Sequence, residues 1–183
     1  MTDKEQQQTI AICNDFNTYF NKTTHRKGNK CFDEKAEYGR SGEIAAMNIL
    51  RYNYNDTFID VAKLNKSYDI LWYNKGNLIG SIDIKRSTSM NKYGTCIFEL
   101  TDRTNYEQEG WWYTLTEEHI TYIGFITDDL KTLYMVKVDD VAKHINLHNY
   151  EHNCQGNCLS YVPLNQLQQL ESYICLQGGE DND

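Results

Sequence analysis

The chain has 183 residues, of which 40% are hydrophobic and 13% aromatic, enough for one domain with a real core. Its formal charge of −8 speaks against a general nucleic-acid binder until it is divided along the chain: residues 1–101 hold 14 Lys and Arg against 12 Asp and Glu, and residues 102–183 hold 4 against 14. No apolar run approaches the roughly 18 residues of a membrane span, and the opening MTDKEQQQ lacks the basic start and apolar stretch of a secretory signal, so the expectation is a cytoplasmic protein with no membrane partner.

In chain order, Lys4 to Phe20 places Ile10, Ile12, Phe16, Tyr19 and Phe20 at mostly helical spacing, and a polar loop follows to Lys30. Glu34 to Tyr52 is a second helix, with Ile44, Met47 and Leu50 on one stripe, Ala45 and Ala46 permitting close packing, and Glu43 within it. Strands are expected at Phe58 to Val61, Tyr68 to Tyr73, Leu78 to Lys85, Thr95 to Thr101, Ile120 to Ile126 and Thr132 to Val138. A short helix over Val138 to Ile145 and a strand over Leu159 to Val162 follow. The last element is an amphipathic helix from Leu164 to Leu176, with Leu164, Leu167, Leu170 and Ile174 on one face. No repeat, linker or second domain is visible, which leaves one domain over residues 1–177 and an acidic tail over 178–183. The order of elements suggests a sheet covered by helices on its two faces.

Six cysteines spread over a chain of this size read as thiols in a reducing compartment. Only Cys154 and Cys158 lie close together, and with His148 and His152 they form HNYEHNCQGNC, a set of zinc-ligand types whose spacing matches no standard finger; the alternative is a polar loop with ordinary thiols. Lys22, Arg26, Lys27, Lys30, Lys35 and Arg40 cluster in the first half, where a polyanion-binding face should be sought, with a solvated basic loop as the alternative. Trp111-Trp112-Tyr113 suits core packing better than base stacking. There is neither a serine in a nucleophile-elbow context nor a phosphate-binding glycine loop.

The chemistry concentrates in SYDILWYNKGNLIGSIDIKRS, Ser67 to Ser87. The alternation Ile82-Asp83-Ile84-Lys85 fits a half-buried strand with a charged outer face. Against that reading, the face carrying Asp83 and Lys85 also carries Ile79 and Ser81, and the partner strand carries Asp69 amid apolar residues. Two carboxylates on adjacent strands in such surroundings need a proton or a cation. Register decides whether they meet. A two-residue Lys75-Gly76 turn would pair Asp69 with Ile82 and point it away from Asp83; a three-residue loop ending at a left-handed Asn77, or a bulge of equal effect, would set the two aspartates face to face. The site chemistry calls for the second arrangement.

A glutamate in a helix (Glu43 in GRSGEIAAMNIL), an aspartate at the start of a strand (Asp69 in YDILW) and Asp-x-Lys 14 residues later (Asp83-Ile84-Lys85) resemble the PD-(D/E)XK nuclease superfamily, with Tyr68 standing where the family name has proline. The resemblance covers Glu37 to Ser87. It implies an α/β restriction-endonuclease-like fold, a mixed β-sheet flanked by helices, and a metal-dependent phosphodiesterase, foremost a DNA endonuclease. Asp69, Asp83, the Ile84 carbonyl and Glu43 would then hold Mg²⁺, with Mn²⁺ as a substitute, and Lys85 would act on the attacking water. Arg26, Lys27, Lys30, Arg40 and Arg86 would bind nucleic acid, DNA in preference to RNA, with homodimer formation left open. Glu99 is expected to point outward from its strand, the alternative being that it reaches the same site. A second functional class is an inactive nuclease fold that binds a protein partner, or mimics nucleic acid, through its acidic C-terminal half.

Overall fold

The computed structural model describes residues 30–64, 67–101, 110–154 and 157–179. The helix expected over Lys4 to Phe20 and the basic residues Lys22, Arg26 and Lys27 lie outside them. Helix α1 (Lys30–Asn53) buries Ala46, Met47, Ile49 and Leu50, an i, i+3, i+4 face, against the sheet. Ile44 does not share that face. It is 49% exposed, because it stands two residues, about 200°, round the helix from Ala46.

Strands β1 (Thr57–Asp60), β2 (Ile70–Asn74) and β3 (Asn77–Ser87) form an antiparallel meander. The chain then crosses over through α2 (Thr88–Tyr93), β4 (Thr95–Thr101) and α3 (Trp111–Glu117), and returns as β5 (Tyr122–Thr127), parallel to β3. Strand β6 (Thr132–Lys137) pairs antiparallel with β5. Helix α4 (Val138–His144) and a 3₁₀ turn (Leu147–Tyr150) lead to the hairpin β7 (Glu151–Cys154) and β8 (Asn157–Pro163). Helix α5 (Leu164–Leu167) and strand β9 (Ile174–Gln177) end the described chain. Six strands form one mixed sheet in the order β1-β2-β3-β5-β6-β9, and β4-β8-β7 form a second. The expected mixed α/β architecture, a sheet flanked by helices, is the one observed.

The large sheet has an apolar core on each face. Ile70, Trp72, Ile82, Ile84, Tyr122, Ile126, Leu133 and Met135 pack with α1 and Phe58, while Ile123, Phe125 and Val136 pack with Phe98, Trp112, Leu115, Val162 and Leu167 from the crossover and the small sheet. Every residue of β5 is buried, which is why its sequence YIGFIT shows no polar alternation.

The helix expected over Leu164 to Leu176 is a correction: it lasts one turn. Leu167 and Leu170 keep their apolar environment in one core, but Leu176 enters the core on the other side of the sheet, where β9 pairs with β6 through Leu133 and Leu176. A single helix cannot serve both cores. The open edge of β6 offers a backbone ladder to Ile174–Gln177, and the ladder overrides the apolar period. Periodicity also missed α2 and α3, which are 6 and 7 residues long, and the strand β7. Among the described residues no helix is long and apolar enough to cross a membrane, and Cys96, Cys158 and Cys175 are free thiols.

Candidate active site

The β2–β3 turn is Lys75-Gly76, with both residues at positive φ (47° and 81°), the two-residue geometry that follows strand twist. Left alone, this turn would have separated the aspartates. The register shifts two residues away: Tyr73 pairs with Leu78 but Trp72 pairs with Gly80, so Ile79 is an extra residue and stands 43% exposed. Beyond the bulge Ile70 faces Ile82, the last pair of this ladder, and Asp69 follows directly after it. The expected three-residue loop does not form; the bulge gives the pairs from Trp72 to Ile70 the register that loop would have set.

Asp69 leaves the ladder at this point. Its N–H donates to the Ile82 carbonyl at 2.9 Å, its own carbonyl accepts from Val61 N at 2.8 Å, and its Oδ2 accepts from Ile84 N at 2.7 Å. The carboxylate therefore takes the place of the next strand's acceptor. Burial raises the Asp69 carboxyl to about 7 from an ordinary 3.8, and the charge of Asp83 adds to the rise, with a smaller contribution from Glu43; the Ile84 N–H and Lys85 act in the opposite direction. Asp83 is 5% exposed, and burial holds its carboxyl above the usual range despite the neighbouring lysine.

Lys85 Nζ lies 3.1 Å from Asp83 Oδ1 in hydrogen-bonding geometry and 2.8 Å from Oδ2, close enough for an ion pair but without a donor direction aimed at it. Oδ2 is thus buried with no hydrogen bond. The same ammonium sits 4.8 Å from the centroid of the Trp111 ring. Trp111 is a site residue that sequence reasoning missed; the core-packing reading holds for Trp112, 6% exposed and edge-on to Phe98, and only in part for Trp111. An aromatic just after a glycine in EGWWY is no signal without knowledge of where the crossover lands.

Glu43 lies near enough for its charge to act on both aspartates, but its Oε2 accepts from Arg40 Nη1 at 2.6 Å, and the same guanidinium grips both oxygens of Asp60. Among the described residues no three His, Cys, Asp or Glu side chains are gathered to hold an ion. Arg86 is likewise engaged: it donates to Ser41 Oγ at 2.7 Å and to the Asp128 carbonyl at 2.9 Å, pairs with the Asp128 carboxylate at 3.1 Å, and stacks 3.8 Å from the Tyr38 ring centroid. The side chain of Lys30 and all of Arg26 and Lys27 lie outside the description. Glu99 sits on β4 in the small sheet, alternating with buried Phe98 and Leu100, whereas the neighbour of β3 is β5.

In the second cysteine-bearing region, His148 is bound to the Glu151 carboxylate, and Cys158 pairs in register with Asn153, one step out of phase with positions 152 and 154. The side chains of His152 and Cys154 lie outside the description. A cavity of about 440 Å³ lies on this side of the molecule, lined by Trp112, Tyr113, Lys143, His144 and Leu147, apart from the aspartates.

Neither protein-family models nor curated proteins match the chain. Among solved structures, the chain is similar to a bacterial homing endonuclease, at 20% identity and a TM-score of 0.40 over 57% of this chain and 69% of that one. It is also similar to a nuclease from a fusselovirus, at 11% identity and a TM-score of 0.39 over 79% of this chain and 94% of that one.

Proposed function

We propose that the chain is a metal-dependent phosphodiesterase of the PD-(D/E)XK type, with DNA as the favoured substrate and internal phosphodiester bonds as the point of attack. The observation that carries this reading is the Asp69–Asp83 pair: two carboxylates on neighbouring strands, withdrawn from water, with the single ammonium of Lys85 beside them. Ionised together, they carry more negative charge than Lys85 offsets, and a divalent cation supplies the remainder. An all-oxygen donor set suits Mg²⁺, with Mn²⁺ as a substitute.

Asp69 and Asp83 would hold the ion. The Ile84 carbonyl, which in an extended strand leaves on the same edge as the N–H bound by Asp69, would join them, and Glu43 would contribute through water while Arg40 retains it. When bound, the ion would lower the pKa of a water and stabilise charge on the phosphate. Lys85, fixed by Asp83, orients the attacking water and offsets the charge that develops as the bond to phosphorus forms. In this reading Arg40 and Arg86 brace α1 against the sheet, and the nucleic-acid path runs through Arg26, Lys27 and Lys30.

The second reading, an inactive fold that binds a basic partner, is favoured by the exposure of Glu117, Glu118, Asp129, Asp139, Glu151 and Glu171 in the acidic half. Mg²⁺- or Mn²⁺-dependent cleavage of a panel of DNA and RNA substrates decides between the two. The expected result is metal-dependent cutting by wild type and none by Lys85→Ala. A wild-type protein inert on the whole panel returns the chain to the second reading.

A further inference from the structure

Among the described residues Lys85 is the cation bound to the aspartate pair; its ammonium is held by Asp83, and its flexible four-carbon side chain is 30% exposed. What limits it is the first residue of α3. Gly110 lies so close to β4 that a Cβ there would stand 2.2 Å from the Glu99 carbonyl oxygen, and its N–H donates to the Leu100 carbonyl at 2.9 Å. Only glycine permits that approach. It starts α3 hard against the small sheet, and Trp111 follows at once, its ring tilted 31° against Phe98 at 5.9 Å and the Lys85 ammonium over its face at 4.8 Å.

We infer that Trp111 is a positioning residue for Lys85: its indole face and the Asp83 carboxylate hold the ammonium from two sides, so that Lys85 is already aimed when substrate arrives. This rests on the phosphodiesterase reading of the same site. The attraction between an ammonium and an aromatic face strengthens when water is partly excluded, and the indole is the strongest such face among side chains. The tilted contact with Phe98 orients the Trp111 ring, whose two side-chain torsions leave it less freedom than the four of lysine. A purely structural Trp111 would serve the core through Phe98 alone and owe nothing to Lys85.

The test separates these roles. In protein labelled with ¹³Cε-lysine and free of metal, the Lys85 Hε resonance of wild type should lie upfield of the other lysines through the ring current. The shift should persist, reduced, in Trp111→Phe and vanish in Trp111→Leu. Turnover should fall about tenfold in Trp111→Leu, with KM and Mn²⁺ affinity within about twofold of wild type, and Trp111→Phe should recover most of it. Thermal midpoints of the two variants identify any loss of fold, and Trp111→Phe, which keeps an aromatic against Phe98, remains decisive if Trp111→Leu unfolds. An unshifted Lys85 resonance in wild type overturns the inference, as does a Trp111→Phe variant that loses both shift and turnover while folded. If wild type cleaves nothing, the hydrolytic reading falls, and the resonance alone decides: a shift lost in Trp111→Leu keeps the placement of Lys85, and an absent shift ends it.

Discussion

The β2–β3 and β7–β8 hairpins carry the two groups of side chains whose types suit a metal ion, and they differ in where the ladder puts them. In the first, Asp69 follows a ladder shifted by the extra residue at Ile79, accepts from the Ile84 N–H and feels the charge of Asp83, which is buried next to Lys85. In the second, the register sets Cys158 out of phase with positions 152 and 154, and His148, 67% exposed, is already bound to Glu151. Ligand types close together in sequence therefore say little. Phase along the strand and withdrawal from water decide whether they form a charge problem that an ion would solve.

The strongest way to break this comparison is to remove charge from the first hairpin. Asp83→Asn and Lys85→Ala should each lower metal-dependent cleavage by a factor on the order of 10³ while the circular dichroism spectrum keeps its wild-type shape, since both change charge rather than the apolar core. Cleavage at the wild-type rate by either variant would sink the assignment. Next in size is a gain of stability. The Asp69 carboxyl titrates near 7 in the folded chain and near 3.8 in the unfolded one, so between those values the native state binds the extra proton and metal-free stability falls as pH rises. Asp69→Asn, which can still accept from the Ile84 N–H, should remove that fall and stabilise the metal-free protein at pH 8 by on the order of 2 kcal/mol in urea denaturation. A wild-type stability that is flat from pH 4 to 8 would contradict it.

Glu43 sharpens the comparison from outside the pair. Because Arg40, itself held by Asp60, already engages it, Glu43→Gln should weaken Mn²⁺ binding and cleavage by only about tenfold, measured by titration and by initial rates. A loss as large as that of Asp83→Asn would make Glu43 a direct ligand. The smallest effect belongs to the second hairpin: His148→Ala and Cys158→Ser should shift stability by less than about 0.5 kcal/mol and leave the zinc content of purified protein unchanged and far below one per chain by elemental analysis. Stoichiometric zinc lost in either variant would show that the two hairpins are alike after all.

Most strands of the fold were legible because each carries its own local signal: β-formers bounded by turn residues mark β1 to β6 and β8 within two residues at either end. The helix after Pro163 was misread because Leu164, Leu167 and Leu170 obey a helical period that continues into Ile174, and nothing local reveals that β6 has an unpaired edge waiting for Ile174–Gln177. The stripe on α1 was misplaced at Ile44 for a related reason: an apolar residue does not say which neighbour it meets.

By itself the sequence determined the inventory of the site, since the order Glu43, Asp69, Asp83, Lys85 and the apolar surroundings of the two aspartates are properties of the chain. It also determined the Lys75-Gly76 turn, because only residues that tolerate positive φ can close so tight a hairpin. Tertiary structure decided the rest. The bulge at Ile79 puts Ile70 and Trp72 of β2 on the face of Ile82 and Ile84, where all four share one core, whereas the unshifted register would have set Ile70 opposite Ser81. The approach of Trp111 to Lys85 likewise depends on a crossover that joins residues 26 positions apart, a contact fixed by how two sheets pack and by no pattern in either segment.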